Sequence, residues 1–422
     1  MIPQISALSK WSMMVGNLFE HYDNALFGLL SPFIAPLFFP EQDPLTALIL
    51  TYCIIPLGMI ARPIGSLVFG YIGDTRGRRK ALVLTLSGMA IVTTLMGLMP
   101  TYQQAGLLAP FLLALGRLLQ NFFAAGETIG GAIYLIENTS EPYKNIMSSL
   151  YSASTVAGIL LASFGVSILC ALDVIQDCWR LLYVFGCSTA LCAVLLRMKI
   201  VWKSPFLTAS PPSSFKAALK SCWNNRHAVI TIAIASGFSY ACYTVPLVMI
   251  NGLVPLVSSI SKMEMMHLNT LMLGVDFLLL PLFGILANRF SREKMMITSA
   301  ALAGIAGCSL FWFLQGASHF TLVLIWLILI IIGVWFSAPF YSWTQNLVPH
   351  SYRYTTISFA YAIGTQLLGG PTAAISLWLF QKTNWIISAG CYWMFLGLLA
   401  SYFIAKQKAF AGKREEVTLQ ES

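Results

Sequence analysis

The sequence predicts an all-α polytopic membrane protein in which twelve transmembrane helices form two pseudo-symmetric six-helix bundles. Of its 422 residues, 57% are hydrophobic and 10% are charged, whereas a soluble domain carries about 25% charged residues. About twelve apolar runs approach the roughly 20 residues that a helix needs to cross a bilayer. A short basic loop between two of these runs recurs in degenerate form about half a chain later, which is typical of transporters with internal repeats.

The apolar runs follow one another along the whole chain. They lie near residues 12–37, 46–71, 81–99, 107–136, 147–171 and 179–199, and then near 227–250, 266–287, 295–315, 320–344, 354–380 and 386–405. The longest loop between them is basic and contains serine and proline clusters, which is typical of a linker. We therefore predict a first bundle at 1–200, a cytoplasmic linker at 201–226, a second bundle at 227–405 and a short cytoplasmic tail at 406–422.

The net charge of +9 is explained by membrane topology. With the N-terminus inside, 20 of the 25 Lys and Arg residues, Arg197 among them, fall in cytoplasmic segments, three fall outside, and Arg62 and Arg117 lie within spans. Because cytoplasmic segments of membrane proteins carry an excess of Lys and Arg, we predict that both termini are cytoplasmic. The positive charge therefore does not indicate a nucleic-acid partner.

Metal, cofactor and enzyme chemistry have little support in the sequence. The nine cysteines occur singly, without a CxxC or Cys/His cluster, so neither a metal site nor a disulfide framework is expected. The five histidines form no HExxH pattern, and neither a GxSxG nor a P-loop motif is present. We expect no cofactor and no enzymatic activity.

The repeated basic loop lies between the second and third spans and again between the eighth and ninth. Residues 70–80 read GYIGDTRGRRK, and residues 284–294 read GILANRFSREK. Glycines permit a tight turn and a close helix approach, and an aspartate such as Asp74 is stabilised at a helix N-terminus. The second copy has Asn288 in the place of Asp74. A plain basic anchor for topology is the alternative to a gating role.

The first span carries polar and charged residues. Asn17, Glu20 and Asn24 are spaced to form one stripe on a helix, and Asp23 lies one turn from Glu20. Two carboxylates close together in a low-dielectric site repel, so one of them is expected to take up and release a proton near neutral pH. Alternatively, these groups pair with arginine or backbone and hold helices together. The neighbouring His21 is expected to hydrogen-bond within the structure.

Other ionisable residues within spans are functional candidates, because a charge at the bilayer centre costs at least ~2.5–3.5 kcal/mol. Glu127 appears as a lone acid beside a glycine face in the fourth span. Arg117 lies about 15 Å away along the same helix, so it requires another acid or the substrate. Asp276 lies in the eighth span. Aromatic candidates, for which helix packing is the alternative, are Tyr240, Tyr243, Trp335 and Tyr341.

Four segments resemble the metabolite:proton symporters, a branch of the major facilitator superfamily that includes carriers of proline and betaine, 2-oxoglutarate, citrate and shikimate. They are residues 16–23, the stretch 62–80, Gly126 with Glu127, and residues 353–370. The resemblance implies the major facilitator fold. It also implies that Asp74 contacts the eleventh span near Arg353 and holds an outward-facing state. The matching loop residues are Gly70, Asp74, Gly77, Arg78 and Arg79.

Two positions depart from that family. Asn24 stands where an aromatic residue is usual, and Ala362 stands where asparagine is common. These departures leave the transported solute open. Because Arg62 and Arg117 are positive, we expect an anionic or zwitterionic solute.

The sequence therefore predicts a secondary active transporter, a proton-coupled symporter of an organic acid, amino acid or betaine that works by alternating access in a bacterial inner membrane. Its expected partners are protons, the solute and the lipid bilayer, and it is expected to be a monomer. An exchanger or uniporter on the same fold is the alternative, and a non-transporting membrane sensor is less favoured.

The predicted proton-coupling residues are Glu20, Asp23 and Glu127. The predicted substrate-binding residues are Asn17, Asn24, Arg117, Tyr240, Tyr243, Asp276, Trp335 and Tyr341. The predicted gating residues are Gly70, Asp74, Gly77, Arg78, Arg79 and Arg353.

Overall fold

The computed structural model describes residues 7–39, 57–199, 214–260 and 262–420, and the regular secondary structure in these ranges is helical. We number its long helical segments α1 to α12. Those of the first half are α1 (Ala7–Phe38), α2 (Leu57–Thr75), α3 (Arg78–Gly97), α4 (Leu108–Glu137), α5 (Lys144–Ala171) and α6 (Ile175–Lys199). The start of the predicted second span, residues 46–56, and the linker residues 201–213 lie outside the described residues.

The second half contains six further long segments, two of which are interrupted by a π-helical stretch. α7 comprises Arg226–Thr244, the π-helical Val245–Met249 and Ile250–Val257. α11 comprises Arg353–Ile363, the π-helical Gly364–Gly369 and Thr372–Thr383. The others are α8 (Lys262–Leu286), α9 (Arg292–Trp312), α10 (His319–Ser337, followed by Phe340–Thr344) and α12 (Ser388–Gln420).

Nine helices in the described part of the chain are long and apolar enough to cross a membrane. α1, α2 and α11 are not among them. α1 and α2 carry the buried charges of Glu20, Asp23 and Arg62, and α11 has an interrupted backbone. These three segments nevertheless coincide with predicted spans, so the helical segments follow the predicted order along the chain.

The chain forms two compact units. Unit 1 comprises Met1–Ser140, Ser154–Ala218 and His350–Phe359. Within it, α4 packs against α1, α2 and α3, and α6 packs against α1 and α3. Its apolar core includes Phe27 from α1, Met96 from α3 and Trp179 from α6. The charged residues Glu20 and Asp23 of α1 and Arg117 and Glu127 of α4 are also buried in this unit.

Unit 2 comprises Glu141–Ala153, Leu219–Pro349 and Ala360–Ser422. Within it, α9 packs along α12, α7 packs against α12 and the π-helical part of α11, and α8 packs against α10. The first turns of α5 thus belong to unit 2 and those of α11 to unit 1. The predicted division into bundles at 1–200 and 227–405 stays a prediction.

Candidate functional site

A fully buried ion pair joins α4 to α6 in unit 1. Arg197 Nη1 donates to Glu127 Oε2 at 2.6 Å, and Arg197 Nη2 donates to the other carboxylate oxygen. Both side chains are 0% exposed, and Arg197 Nη1 also donates to the backbone carbonyl of Leu82 at 3.0 Å. Removal of one partner of such a pair strongly destabilises the folded protein, because the other charge then stays buried without a counter-charge.

This pair corrects two expectations. Arg197 does not belong to a cytoplasmic loop, and Glu127 is not a lone acid. The position of Arg197 inside the predicted span 179–199 could have indicated that it is buried in the membrane. Because Lys199 follows two residues later, the two charges resembled the start of a cytoplasmic loop. The position of a partner on another helix cannot be read from local spacing. The proton-coupling role of Glu127 stays a prediction.

Glu20 on α1 also has a cationic neighbour. Its Oε2 accepts a hydrogen bond from Thr128 Oγ1 on α4 at 2.6 Å, and its Oε1 lies 3.6 Å from Arg62 Nη2 on α2. Arg62 Nε donates in turn to Asn121 Oδ1 at 3.1 Å. The neighbouring His21 places its Nδ1 2.9 Å from the carbonyl oxygen of its own helix at residue 17. The structure therefore links Glu20 to both α2 and α4.

Asp23 has a different environment from Glu20, although the two are one turn apart. It is 1% exposed, and its Oδ2 accepts a hydrogen bond from Thr93 Oγ1 on α3 at 2.8 Å. None of the ion pairs within the described ranges includes Asp23. Its charge is therefore offset by a hydroxyl donor and by the guanidinium of Arg117, which acts on it without forming an ion pair.

Arg117 on α4 contacts neutral groups of α1 and its own helix. Its Nη2 donates to Asn24 Oδ1 at 3.4 Å, and its Nη1 donates to Gln120 Oε1. Its guanidinium carbon lies 4.3 Å from the centre of the Phe27 ring, which is a cation–π distance. The structure thus brings the predicted substrate residues Asn24 and Arg117 together. Asn17 donates instead to Ser154 Oγ on α5 at 2.8 Å.

The remaining predicted substrate residues belong to unit 2. The rings of Tyr240 and Tyr243 on α7 are 6.2 Å apart, and the carboxyl of Asp276 on α8 acts electrostatically on Tyr243. Trp335 packs against Phe283 with ring centres 5.5 Å apart. Tyr341 packs edge-on to Tyr151 and beside Tyr361. Their substrate-binding roles stay predictions.

The basic loop of the first half contacts the beginning of α11 within unit 1. Asp74 Oδ1 accepts from the backbone N–H of Tyr354 at 3.1 Å, and Asp74 Oδ2 accepts from the N–H and the hydroxyl of Thr355, each at 2.8 Å. A helix N-terminus offers unpaired N–H groups and a positive dipole end to such a carboxylate. A methyl group at Gly70 would lie 2.6 Å from the Cα of Thr355, so a glycine is needed for this approach.

Glu137, at the end of α4, is a functional candidate that the sequence reasoning missed. Its carboxylate accepts two hydrogen bonds of 2.9 Å from Arg78 and one of 3.1 Å from Arg353 Nη1. An acid at a helix C-terminus is disfavoured by the helix dipole, so its presence was a signal that cationic partners lie nearby. The other loop arginine, Arg79, donates to the carbonyl of Met198 at 3.0 Å.

The second copy of the loop makes an uncharged version of this contact within unit 2. Asn145, at the start of α5, donates to Asn288 Oδ1 at 3.1 Å and to the Ala287 carbonyl at 3.0 Å. Arg292, which corresponds to Arg78, donates through Nε to Asn145 Oδ1 at 2.6 Å. In the first copy the carboxylate of Asp74 accepts from backbone amides. In the second copy the amide of Asn288 accepts from the amide of Asn145.

In the described part of the chain, no group of three or more His, Cys, Asp or Glu side chains is placed to hold a metal ion. The buried carboxylates of unit 1 have guanidinium or hydroxyl partners instead. This arrangement provides several buried acids in different electrostatic surroundings and one guanidinium group, Arg117, that interacts with Asp23 and with the amides of Asn24 and Gln120.

Residues 25–374 match the Major Facilitator Superfamily, and the chain belongs to this family of membrane transporters. Among its relatives is the citrate-proton symporter of Klebsiella pneumoniae, which is 31% identical over 414 residues, covering 94% of this chain and 91% of the relative. A putative proline/betaine transporter of Staphylococcus aureus strain COL is 27% identical, covering 88% of this chain and 81% of the relative.

Solved structures agree with this assignment at the level of the fold. The proton:xylose symporter XylE superimposes with a TM-score of 0.74 and 15% identity, covering 94% of this chain and 95% of that chain. The fucose:proton symporter FucP of E. coli gives 0.71 and 15%, covering 95% and 98%. The predicted family and the predicted polytopic all-helical fold are thereby confirmed, and the protein is a multi-pass membrane transporter.

Proposed function

We propose that the protein is a proton-coupled symporter that takes up a small metabolite carrying carboxylate groups. The observation that carries this proposal is the buried polar cluster of α1 and α4, in which the carboxyl of Asp23 and the guanidinium of Arg117 are both buried and interact electrostatically. A charge inside a membrane is costly, so a charged group found there is a candidate for a function. The relatives named above include symporters of citrate with protons.

Arg117 is the group we assign to the carboxylate of the solute. Its guanidinium is held by Asn24, Gln120 and the Phe27 ring, which leaves it charged and oriented. Guanidinium groups bind carboxylates in bidentate geometry. A citrate-like polycarboxylate, as in the relatives of higher identity, fits this chemistry, and a betaine, as in the other relatives, is the second candidate because it also carries a carboxylate.

Asp23 is the group we assign to the proton. Glu127 forms a buried ion pair with Arg197, and a carboxylate oxygen of Glu20 lies 3.6 Å from Arg62. Asp23 accepts a hydroxyl hydrogen bond and interacts electrostatically with Arg117, but it is in none of the ion pairs of the described residues. A carboxyl in that position binds and releases a proton with a small change of surroundings, and a solute carboxylate arriving nearby would favour its protonated form. That coupling is what symport requires.

The contacts of Asp74 and Glu137 with the start of α11 are assigned to gating. Alternating access moves the two halves of such a transporter against each other. The first turn of α11 comes from the second half of the sequence, whereas α2 and α4 come from the first half. These hydrogen bonds would therefore have to break once in every transport cycle, and their strength would set the populations of the conformational states.

We also propose a membrane location, an orientation and a set of partners for the protein. We place the protein in the bacterial inner membrane, with both termini in the cytoplasm as the distribution of Lys and Arg suggests. We expect it to act as a monomer, to contact the lipid bilayer and to have no nucleic-acid partner.

Uptake by purified protein in proteoliposomes tests the proposal. With an imposed pH gradient, acid outside, we expect citrate or a related carboxylate to accumulate, and protons to enter with it. Collapse of the gradient with a protonophore should reduce accumulation to equilibration. Solute exchange that ignores the gradient, without proton movement, would favour the exchanger or uniporter alternative.

A further inference from the structure

Three sulfur atoms meet between α9 and α12 in unit 2. The Sγ of Cys308 lies 3.5 Å from the Sγ of Cys391 and 3.5 Å from the Sδ of Met394. Cys391 and Met394 are three residues apart on α12, so both point to the same side of that helix. The contact joins residues more than 80 positions apart in the chain, which is why single cysteines in the sequence gave no indication of it.

Glycines fix this arrangement by letting the two helix backbones approach each other. A methyl group added at Gly390 would lie 2.8 Å from the Gly307 carbonyl oxygen and 3.1 Å from the Cα of Cys308. A methyl group at Gly307 would lie 3.5 Å from the Cβ of Met394. The three sulfur side chains therefore start from backbones in close contact, and little rearrangement is needed to direct them at one point.

We propose that Cys308, Cys391 and Met394 bind one soft metal ion, Cu(I). Thiolate and thioether sulfurs are the ligands that favour Cu(I). Two sulfurs bound to one ion at a metal–sulfur distance of ~2.3 Å are ~3.8 Å apart in tetrahedral geometry and ~4.0 Å apart in trigonal geometry. The observed separations are a few tenths of an ångström shorter, so the sulfurs have only to spread slightly around the ion.

A bound Cu(I) lowers the charge that two thiolates would otherwise bury. Each cysteine loses its thiol proton to water when it becomes a ligand, while Met394 remains neutral. Two thiolates and one Cu(I) together carry a single negative charge, which is less costly to bury than the two thiolates alone. A divalent ion would leave the site neutral, but it would favour harder ligands or a fourth donor.

The site lies close to the ends of its helices. Cys308 is one turn before Trp312, the end of α9, and Cys391 is one turn after Ser388, the start of α12. Both cysteines are partly exposed. In the predicted topology these helix ends face the outside, so an ion would reach the sulfurs without crossing the bilayer. All three sulfur side chains belong to unit 2.

Copper binding by the full-length purified protein tests this inference. Cu(I) is supplied anaerobically as its coloured bicinchoninate complex, and the loss of colour reports transfer to the protein. Relative to wild type, Cys308→Ser and Cys391→Ser should each bind about one equivalent less. Met394→Leu should keep the stoichiometry with an affinity about tenfold weaker. Cys170→Ser, an exposed cysteine at the end of α5, is the matched control and should bind as wild type.

Native size-exclusion profiles of the variants establish that they are folded. Equal copper uptake by wild type, Cys308→Ser and Cys391→Ser would overturn the proposal, as would a fall of the same size in Cys170→Ser. A second measurement is protection from alkylation. Ag(I), a soft monovalent substitute for Cu(I), should protect Cys308 and Cys391 but not Cys170 from alkylation by N-ethylmaleimide. A disulfide between Cys308 and Cys391 in the purified protein would leave no thiol to bind the ion and would also overturn the proposal.

Discussion

At the scale of the residue, the partner of each buried acid in unit 1 decides what that acid can do. Glu127 shares two hydrogen bonds with Arg197, Glu20 lies 3.6 Å from Arg62, and Asp23 has the hydroxyl of Thr93. A guanidinium neighbour stabilises the ionised form, whereas a hydroxyl does so weakly. Two of the three acids are therefore expected to hold helices together, and the third to exchange a proton.

The first prediction concerns Asp23. Asp23→Asn removes the titrating group but keeps a side chain of the same shape that still bonds with Thr93. Uptake in proteoliposomes should then no longer respond to an imposed pH gradient, and accumulation should fall to equilibration. Asp23→Glu, which keeps the acid, is the control and should retain part of the gradient response. An unchanged dependence on the gradient in Asp23→Asn would remove this residue from proton coupling.

The second prediction concerns the ion pair of α4 and α6. Glu127→Gln leaves the charge of Arg197 buried, which typically costs about 3–5 kcal/mol. The variant should unfold at a lower temperature in detergent. The double variant Glu127→Gln/Arg197→Met has no buried charge at either position and should recover much of the loss. If the single and double variants are equally destabilised, the pair is not the source of the effect.

Much of this site was accessible from the sequence because a charge within an apolar run is conspicuous. Glu20, Asp23, Arg62, Arg117 and Glu127 were all found in that way. Their partners were not accessible, because a hydrogen bond between helices depends on rotation and packing that local spacing does not encode. Glu137 was missed for another reason, since its place at the end of a span looked like ordinary loop polarity.

At the scale of the element, the first turn of α11 is held by α2 and by the end of α4. Asp74 accepts three hydrogen bonds from the backbone and side chain at the start of α11, and Glu137 binds Arg353 from the same turn. Arg78 bonds with Glu137 and lies 3.4 Å from Asp74. The cluster is thus a connected network rather than one contact.

The third prediction follows from this network. Asp74→Asn keeps one acceptor oxygen but loses the charge at the N-terminus of α11, which is worth up to ~2 kcal/mol in a partly buried setting. Transport should slow while solute binding is kept, because conformational populations change and the solute site does not. Accessibility of single cysteines from each side of the membrane, in a background without native cysteines, measures the populations. Wild-type accessibility together with wild-type uptake would leave the loop as a topology anchor.

The fourth prediction tests the close approach of the same two elements. Gly70→Ala would place a methyl group 2.6 Å from the Cα of Thr355, and overpacking of this kind costs about 1–3 kcal/mol. Unfolding temperature and transport rate should both fall. Gly28→Ala is the matched control, because a methyl group at Gly28 of α1 has nothing within 4 Å and should be harmless. Equal behaviour of the two variants would show that the approach is not restrictive.

At the scale of the whole molecule, the twelve-helix plan was predictable from the apolar runs and the repeated loop. Hydrophobicity fixes which segments cross a membrane, and duplication fixes their number in each half. The interruptions of α7 and α11 were not predicted, because the hydrophobicity that defines a span does not report the hydrogen-bond spacing within its helix. Pro246 in the first and the glycines at both ends of the second are compatible with a π-helical turn.

The π-helical stretch Gly364–Gly369 makes α11 adjustable in torsion. A π turn bonds residue i to residue i+5, so it accommodates one residue more than an α turn. Because an α-helix advances ~100° per residue, return of this stretch to α geometry would swivel Thr372–Thr383 by about that angle relative to Arg353–Ile363. Spin labels at Ala360 and Ser376, with distances measured in the presence and absence of solute, would register the swivel. The far end of α11 could then reorient before the hydrogen bonds between Asp74 and the beginning of the helix break.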